Sequence, residues 1–202
     1  SDGSKVILNA ATTFRYPTSF DGKNRQVYLD GEAYFEISKN SEKPFVVKLK
    51  KQEITVLGTT FNVQAYGHES YSEVTLLTGR ILLEAFNERG ESMSCMYLKP
   101  DQKALSDNST GSVSLQDVNA SLSNAWINGE YKFKDEPLAS IVKRLENYYN
   151  VKIHLEDKRL EKIRYTGTFS LDQDILDVFR IIDYEKQLIF KRVEKEIFIT
   201  SK

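Results

Sequence analysis

The sequence predicts an all-β domain, a sandwich or a solenoid-like stack of short strands, followed by a small α+β domain of order β-α-β-β-α-β-β. Three observations predict it. Apolar residues alternate with period two from Val6 to about Leu105. After Pro137 they switch to a helical spacing. Between the two lies Asp107-Asn108-Ser109-Thr110-Gly111-Ser112, a polar, small-residue stretch that reads as a loop. The expected boundaries are therefore 1–106 for the all-β domain, 107–125 for a linker and 126–202 for the α+β domain. A length of 202 residues suits one large domain or two small ones.

The strands follow in order. Ala33, Phe35 and Ile37 alternate with Glu32, Tyr34 and Glu36. Phe45, Val47 and Leu49 alternate with Val46, Lys48 and Lys50, and Phe61, Val63 and Ala65 with Thr60, Asn62 and Gln64. Val74 and Leu76 precede Thr78-Gly79, and Ile81, Leu83 and Ala85 come after it. Such runs, rich in β-branched and aromatic residues and bounded by turn residues, are strand signals. Gly58 suits a bulge or a positive φ, and Gly79 a hairpin turn. In the second half, Pro137 suits the first helical position. Leu138, Ile141, Val142, Leu145, Tyr148 and Tyr149 then form one helical stripe. Ser170 and Gln173 are spaced as a capping box opening a second helix, with Leu171, Ile175, Phe179 and Ile182 as its stripe. Strands are expected at 130–133, 151–155, 163–169, 187–191 and 196–200, with the helices on one sheet face.

Charge and cysteine use exclude more than they assign. The first 120 residues carry 13 Lys and Arg against 15 Asp and Glu, and the remainder 15 against 14. Neither half has the basic excess of a nucleic-acid binder. The cluster Lys48, Lys50 and Lys51 reads as a solvated strand end. Cys95 is the single cysteine, so no intrachain disulfide or thiolate cluster can form. One free thiol suits the cytosol, or an oxidising compartment if it is buried. No apolar run approaches the roughly 18 residues of a spanning helix. No leader pattern is evident, so the expectation is a mature or excised fragment.

No catalytic site is legible. His68 lies in the turn Gly67-His68-Glu69-Ser70 and His154 within a strand, and neither has a second ligand at metal spacing. G-x-S-x-G, G-x-G-x-x-G and the P-loop pattern are all missing. No cofactor is expected. Glu32 and Glu36 fall on one strand face, as a glycosidase pair could, or as an ordinary polar face. A carbohydrate-binding β-sandwich is the alternative function. It would expose a row of tyrosines such as Tyr28, Tyr34 and Tyr66. Trp126 is expected to pack where the halves join. Two modules without a catalytic constellation favour binding over turnover.

Several segments in order resemble the FecR-type sensor domain. They are Asp2 to Ala10, Arg25 to Ile37, Lys43 to Val47 and, most specific, Ile54-Thr55-Val56-Leu57-Gly58-Thr59-Thr60-Phe61-Asn62-Val63-Gln64-Ala65-Tyr66. Val74 to Ile81 and Leu98 to Gln102 continue the series. Ile7, where an aromatic is common, and Thr78, where an acidic residue is common, depart from it. Trp126 to Gly129, Phe133, Pro137-Leu138 and Tyr165-Thr166-Gly167-Thr168-Phe169 resemble the family's C-terminal domain. That domain is similar to the short N-terminal module of secretins and TonB-dependent transporters. The resemblance implies the periplasmic sensor of a single-pass inner-membrane anti-sigma factor in a Gram-negative bacterium. Its implied partners are the signalling domain of a TonB-dependent outer-membrane transporter and an extracytoplasmic-function sigma factor. The sigma factor would be held by a cytoplasmic segment lying, like the membrane helix, outside these residues. Strand addition at a sheet edge is the expected docking mode. The terminal pair Leu188-Ile189-Phe190 and Ile197-Phe198-Ile199 is the expected docking site, because an end strand is often an edge strand.

Overall fold

The alternating runs of the first half fold as eleven strands. They are β1 (Lys5–Leu8), β2 (Thr13–Arg15), β3 (Arg25–Glu36), β4 (Phe45–Lys48), β5 (Gln52–Val56) and β6 (Thr60–Ala65), then β7 (Tyr71–Thr78), β8 (Ile81–Phe86), β9 (Ser92–Leu98), β10 (Gln102–Asp107) and β11 (Val113–Asp117). The computed structural model describes residues 2–184 and 187–202. The chain divides into two units, Ser1–Asn124 and Ala125–Lys202.

In the first unit the strands form one sheet along the path β11-β10-β7-β6-β3-β4-β5-β8-β9, with β1 and β2 on the other side of β3. β3 is long enough to serve two partners along each edge. Its first four residues pair in parallel with β4, and residues 31–36 pair antiparallel with β6. On the opposite edge β2 takes residues 28–30 and β1 takes 33–36. The change of partner falls at Gly31, where φ is +132° and a Cβ would sit 2.5 Å from Thr12 Oγ1. Such a position favours glycine. Thr12 bridges the break: its hydroxyl accepts from the Glu32 N–H and donates to the Glu32 carbonyl, each at 3.0 Å. Gly79 turns at φ +91° between β7 and β8. Gly58 answers a different need, because a Cβ there would lie 2.7 Å from Lys39 Cα.

The sheet curls, nearly as a barrel, around one core. Val27, Leu29, Ala33 and Phe35 of β3 face Phe45, Ile54, Phe61, Val74, Ile81 and Leu98 in it. Phe35 and Phe61 stack with centroids 4.8 Å apart. Fully burying each such ring stabilises by roughly 1.5–3 kcal/mol. At the start of β3, Arg25 is buried, with 2% of its surface exposed. Its Nε donates to the Lys43 carbonyl at 2.9 Å, and its Nη1 donates to Asp2 Oδ2 at 2.5 Å and to the Ser38 carbonyl at 3.1 Å. Partial burial pushes the Asp2 carboxyl up, but hydrogen bonds from Arg25 and Ser4 outweigh it and hold the group below its ordinary value.

Residues 107–125 are more than a linker. They contain β11, which pairs with β10 from Gln102↔Asp117 to Ser106↔Val113. They also contain a 3-10 turn, Ala120–Leu122, capped by Asn119. β11 is largely exposed, and its short alternation of Val113 and Leu115 with Ser114 and Gln116 lies inside the stretch expected to be linker. The stretch from Asp107 to Ser112 is the turn ahead of it, with the Asp107 carboxylate accepting from the Ser109 and Thr110 N–H groups.

The second unit has the expected order: β12 (Glu130–Pro137), α1 (Leu138–Tyr149), β13 (Lys152–Leu155), β14 (Arg164–Ser170), α2 (Ile175–Ile182), β15 (Leu188–Val193) and β16 (Glu196–Ser201). The strands make two sheets rather than one, β12–β14 and β13–β16–β15. Both sheets and both helices contribute to a single core, in which α1 buries Leu138, Ile141, Val142 and Leu145. Pro137 is not the first helical residue but the N-cap, still extended at ψ 141° and without a capping side-chain bond, and Asn150 ends α1 in the left-handed region at φ +52°. α2 starts later than the Ser170 signal suggested. Gln173 Oε1 does accept the Ser170 N–H at 3.1 Å, but Ser170 is the last residue of β14. The working cap is Asp174, which accepts from the Leu176 N–H at 2.8 Å. Trp126, half-buried, packs against this second core.

Candidate interaction surface

Ionisable groups are dispersed rather than gathered into a reactive centre. Among the described residues no cluster of three or more His, Cys, Asp or Glu could hold a metal. His68 is exposed and lies 5.7 Å from the Tyr66 ring. Glu32 is buried and accepts from Asn9 Nδ2 at 2.7 Å and Asn62 Nδ2 at 2.9 Å. Glu36, at the exposed end of β3, shares no such site. The expected carboxylate pair is thus one structural acceptor and one surface group. The tyrosine row fails likewise. Tyr34 and Tyr66 are buried, and the Tyr66 hydroxyl donates to the Ala10 carbonyl at 2.9 Å. Tyr28 is exposed, with the Arg15 guanidinium 5.4 Å from its ring centre.

The terminal hairpin is built differently from the expectation. β16 is the central strand of its sheet, parallel to β13 and antiparallel to β15. Its last position in sequence is not an edge position in space. β15 is the edge. Within the hairpin, Leu188, Ile197 and Ile199 are buried, and half-buried Phe190 stacks on Phe179 at 5.3 Å. These four face the core. Ile189, 50% exposed, and Phe198 lie on the opposite face. There Phe198 stacks on His154 at 4.8 Å, and Lys191 sits across from it. Val193, exposed on the same face, was missed by the sequence reading because it lies beside the turn.

The backbone of β15 has a readable direction. Lys202 N–H donates to the Gln187 carbonyl at 2.9 Å. By the alternation of an antiparallel ladder, Ile189, Lys191 and Val193 turn their backbone groups to β16. Leu188, Phe190 and Arg192 turn theirs outward. Buried Asp183 accepts the Leu188 N–H at 3.0 Å and the Gln187 N–H at 2.8 Å. It therefore seals the first outward donor, while among the described residues those of Phe190 and Arg192 are left for a partner. The hairpin thus presents an unpaired edge beside a partly apolar face. Such a surface has the features of a template for another polypeptide strand.

Comparison with known proteins matches this architecture. Residues 1–82 match the family model described as FecR protein, and residues 130–199 match that described as FecR, C-terminal. Two solved structures of a candidate anti-sigma factor from Parabacteroides distasonis are similar over 100% of this chain. The first has 29% identity, covers 92% of its own chain and gives a TM-score of 0.87. The second has 30% identity, 91% coverage and a TM-score of 0.85. The chain belongs to the FecR family of anti-sigma factors. No curated protein matches it. FecR proteins are regulatory rather than catalytic. No helix among the described residues of this FecR-family chain is long and apolar enough to cross a membrane. Its one cysteine, Cys95, is exposed on β9, so burial does not shield the thiol.

Proposed function

We propose that this chain is the periplasmic sensor part of a FecR-type anti-sigma factor, relaying the state of a TonB-dependent outer-membrane transporter to an extracytoplasmic-function sigma factor. The relay works by protein contact, without catalysis. The membrane helix and the segment that holds the sigma factor belong to other parts of such a regulator. A relay needs a surface whose occupancy shifts an equilibrium, not an acid, base or metal. The observation that carries this reading is the open side of the three-stranded sheet. The outward N–H and C=O groups of Phe190 and Arg192 are the template for an added strand. Ile189, Phe198 and Val193 supply apolar contact beside it. Leu188, Phe190, Ile197 and Ile199 hold the hairpin on its core and act only indirectly.

The test is binding of the purified chain to the signalling domains of transporters encoded beside it. One selective partner is expected. Arg192→Pro removes an outward N–H without breaking a ladder bond, and it is expected to weaken that complex at least tenfold. Failure to bind any such domain rejects the relay. Binding that is indifferent to Arg192→Pro and to Ile189→Asp rejects the docking edge and leaves the relay intact.

A further inference from the structure

The two-stranded sheet carries a second recognition feature, on a different strand. Among the described residues β14 is paired on one side only, with β12. Leu171 N–H donates to the Gly129 carbonyl and Leu138 N–H to the Ile163 carbonyl, each at 2.8 Å. With the strand register, these bonds turn the backbone groups of Tyr165, Gly167 and Phe169 toward β12. Those of Arg164, Thr166 and Thr168 point away. Ser170, next in the outward series, has its N–H accepted by Gln173. The three residues before it have no such cover among the described residues.

Along this edge runs a cleft of about 340 Å3, walled on its far side by the end of α2 at Ile181 and Ile182. Phe133 lies at its base beside Gly167, where a Cβ would come into ordinary contact with Phe133 Cζ at 3.4 Å. Ile163, Ile181 and Tyr184 are exposed at its rim, Tyr184 at 89%. Among the described residues, two charged side chains beside it are engaged. Arg164 pairs with Asp135 at 2.9 Å, and Asp183 accepts two backbone N–H groups.

We infer that this cleft binds an extended polypeptide segment, which adds as a strand to β14 and places an apolar side chain opposite Gly167. The unpaired N–H and C=O groups specify a peptide backbone as their complement. Gly167 lies at a non-hydrogen-bonded position with respect to an added strand, where facing side chains come closest. A side chain placed opposite it therefore meets no β14 side chain and reaches toward Phe133. The volume suits one or two side chains. The occupant is therefore a flexible segment of a partner protein rather than the edge of a broad sheet. This site is separate from the β15 edge and does not depend on the transporter reading.

The experiment is a titration of the isotope-labelled 202-residue chain, followed by amide chemical shifts, with two synthetic nine-residue peptides. One alternates Val and Thr. The other carries Pro at every second position, which removes the donors. Shifts confined to Thr166, Gly167, Thr168 and Ile181 are expected with the first peptide alone. Gly167→Val fills the slot, Thr168→Pro removes an edge donor, and Ile181→Lys alters an exposed wall that folding does not require. Each is expected to weaken binding at least tenfold, with the thermal melt of Ile181→Lys unchanged. Lack of shifts at millimolar peptide would overturn the inference. So would an equal response to the proline peptide, shifts centred on β15, or concentration-dependent shifts without peptide, which would make a second copy the occupant.

Discussion

The two units manage strand edges differently. The first joins eleven strands in one curled sheet whose path ends on β11, a short and mostly polar strand, and on β9. The second splits five strands between two small sheets, so that among the described residues β12, β13, β14 and β15 each pair on one side only. An exposed edge is a pairing template, and proteins that do not use it blunt it. The difference teaches where each unit spends its apolar residues. The first gathers Phe35, Phe61 and Val63 in one core and exposes Leu8, Leu57, Met93 and Leu115 singly. The second keeps Ile181, Ile189 and Val193 at the surface, beside unpaired backbone.

The comparison breaks most visibly if the closed core is opened. Phe61→Ala removes a ring that is fully buried and stacked on Phe35. Its expected cost is about 3–5 kcal/mol, read as a lowered denaturant midpoint of the first unit in tryptophan-independent probes such as hydrogen exchange. An unchanged midpoint would mean that the first unit is not held by its core.

Next comes the buried charge. Asp2→Asn strips Arg25 of its counter-charge at 2.5 Å. An expected loss of about 2–3 kcal/mol at neutral pH is the signature of an uncompensated buried ion. The sign of the pH effect follows. Asp2 is held below its ordinary value of 3.8, so its contribution is complete above that value and disappears as pH falls through the lower folded value. Urea midpoints at pH 7 and pH 3 should therefore differ less in Asp2→Asn than in the parent chain.

The open side of the second unit gives a smaller but more selective effect. Ile189→Asp should leave stability within about 0.5 kcal/mol, as expected of a surface position. It should still weaken capture by the transporter domain tenfold, about 1.4 kcal/mol. Ile199→Asp, buried one strand away, should unfold the unit instead. Equal behaviour of the two variants would erase the distinction between the faces of the hairpin. The smallest effect belongs to Cys95→Ser. Being exposed, it should move stability by no more than about 0.5 kcal/mol, while Ellman's reagent titrates the native parent thiol without denaturant.

The strands of the first unit were legible because one buried face imposes a strict period. Ala33, Phe35, Phe61 and Val63 all lie where alternation put them. α1 was legible from its stripe and from Pro137. α2 was misplaced because Ser170 and Gln173 make the bond of a capping box without the helix that should follow. β11 was missed because its alternation, Val113 and Leu115 with Ser114 and Gln116, spans only five residues beside a polar turn. The hairpin shows the deeper limit. Its two strands read correctly, yet nothing local states that β13 pairs in parallel with β16 and so displaces it from the edge. Strand order is a non-local property, and four of the six residues singled out there prove to be core.

β3 belongs at once to both directions of the sheet, and its register with four neighbours changes at a single residue, Gly31. Neither half of the curl can melt while the other persists, since each would strand half of the same twelve-residue ribbon. Heating should therefore dissolve the first unit in one step, and a disturbance felt at its amino-terminal strands β1 and β2 is shared by the whole of it.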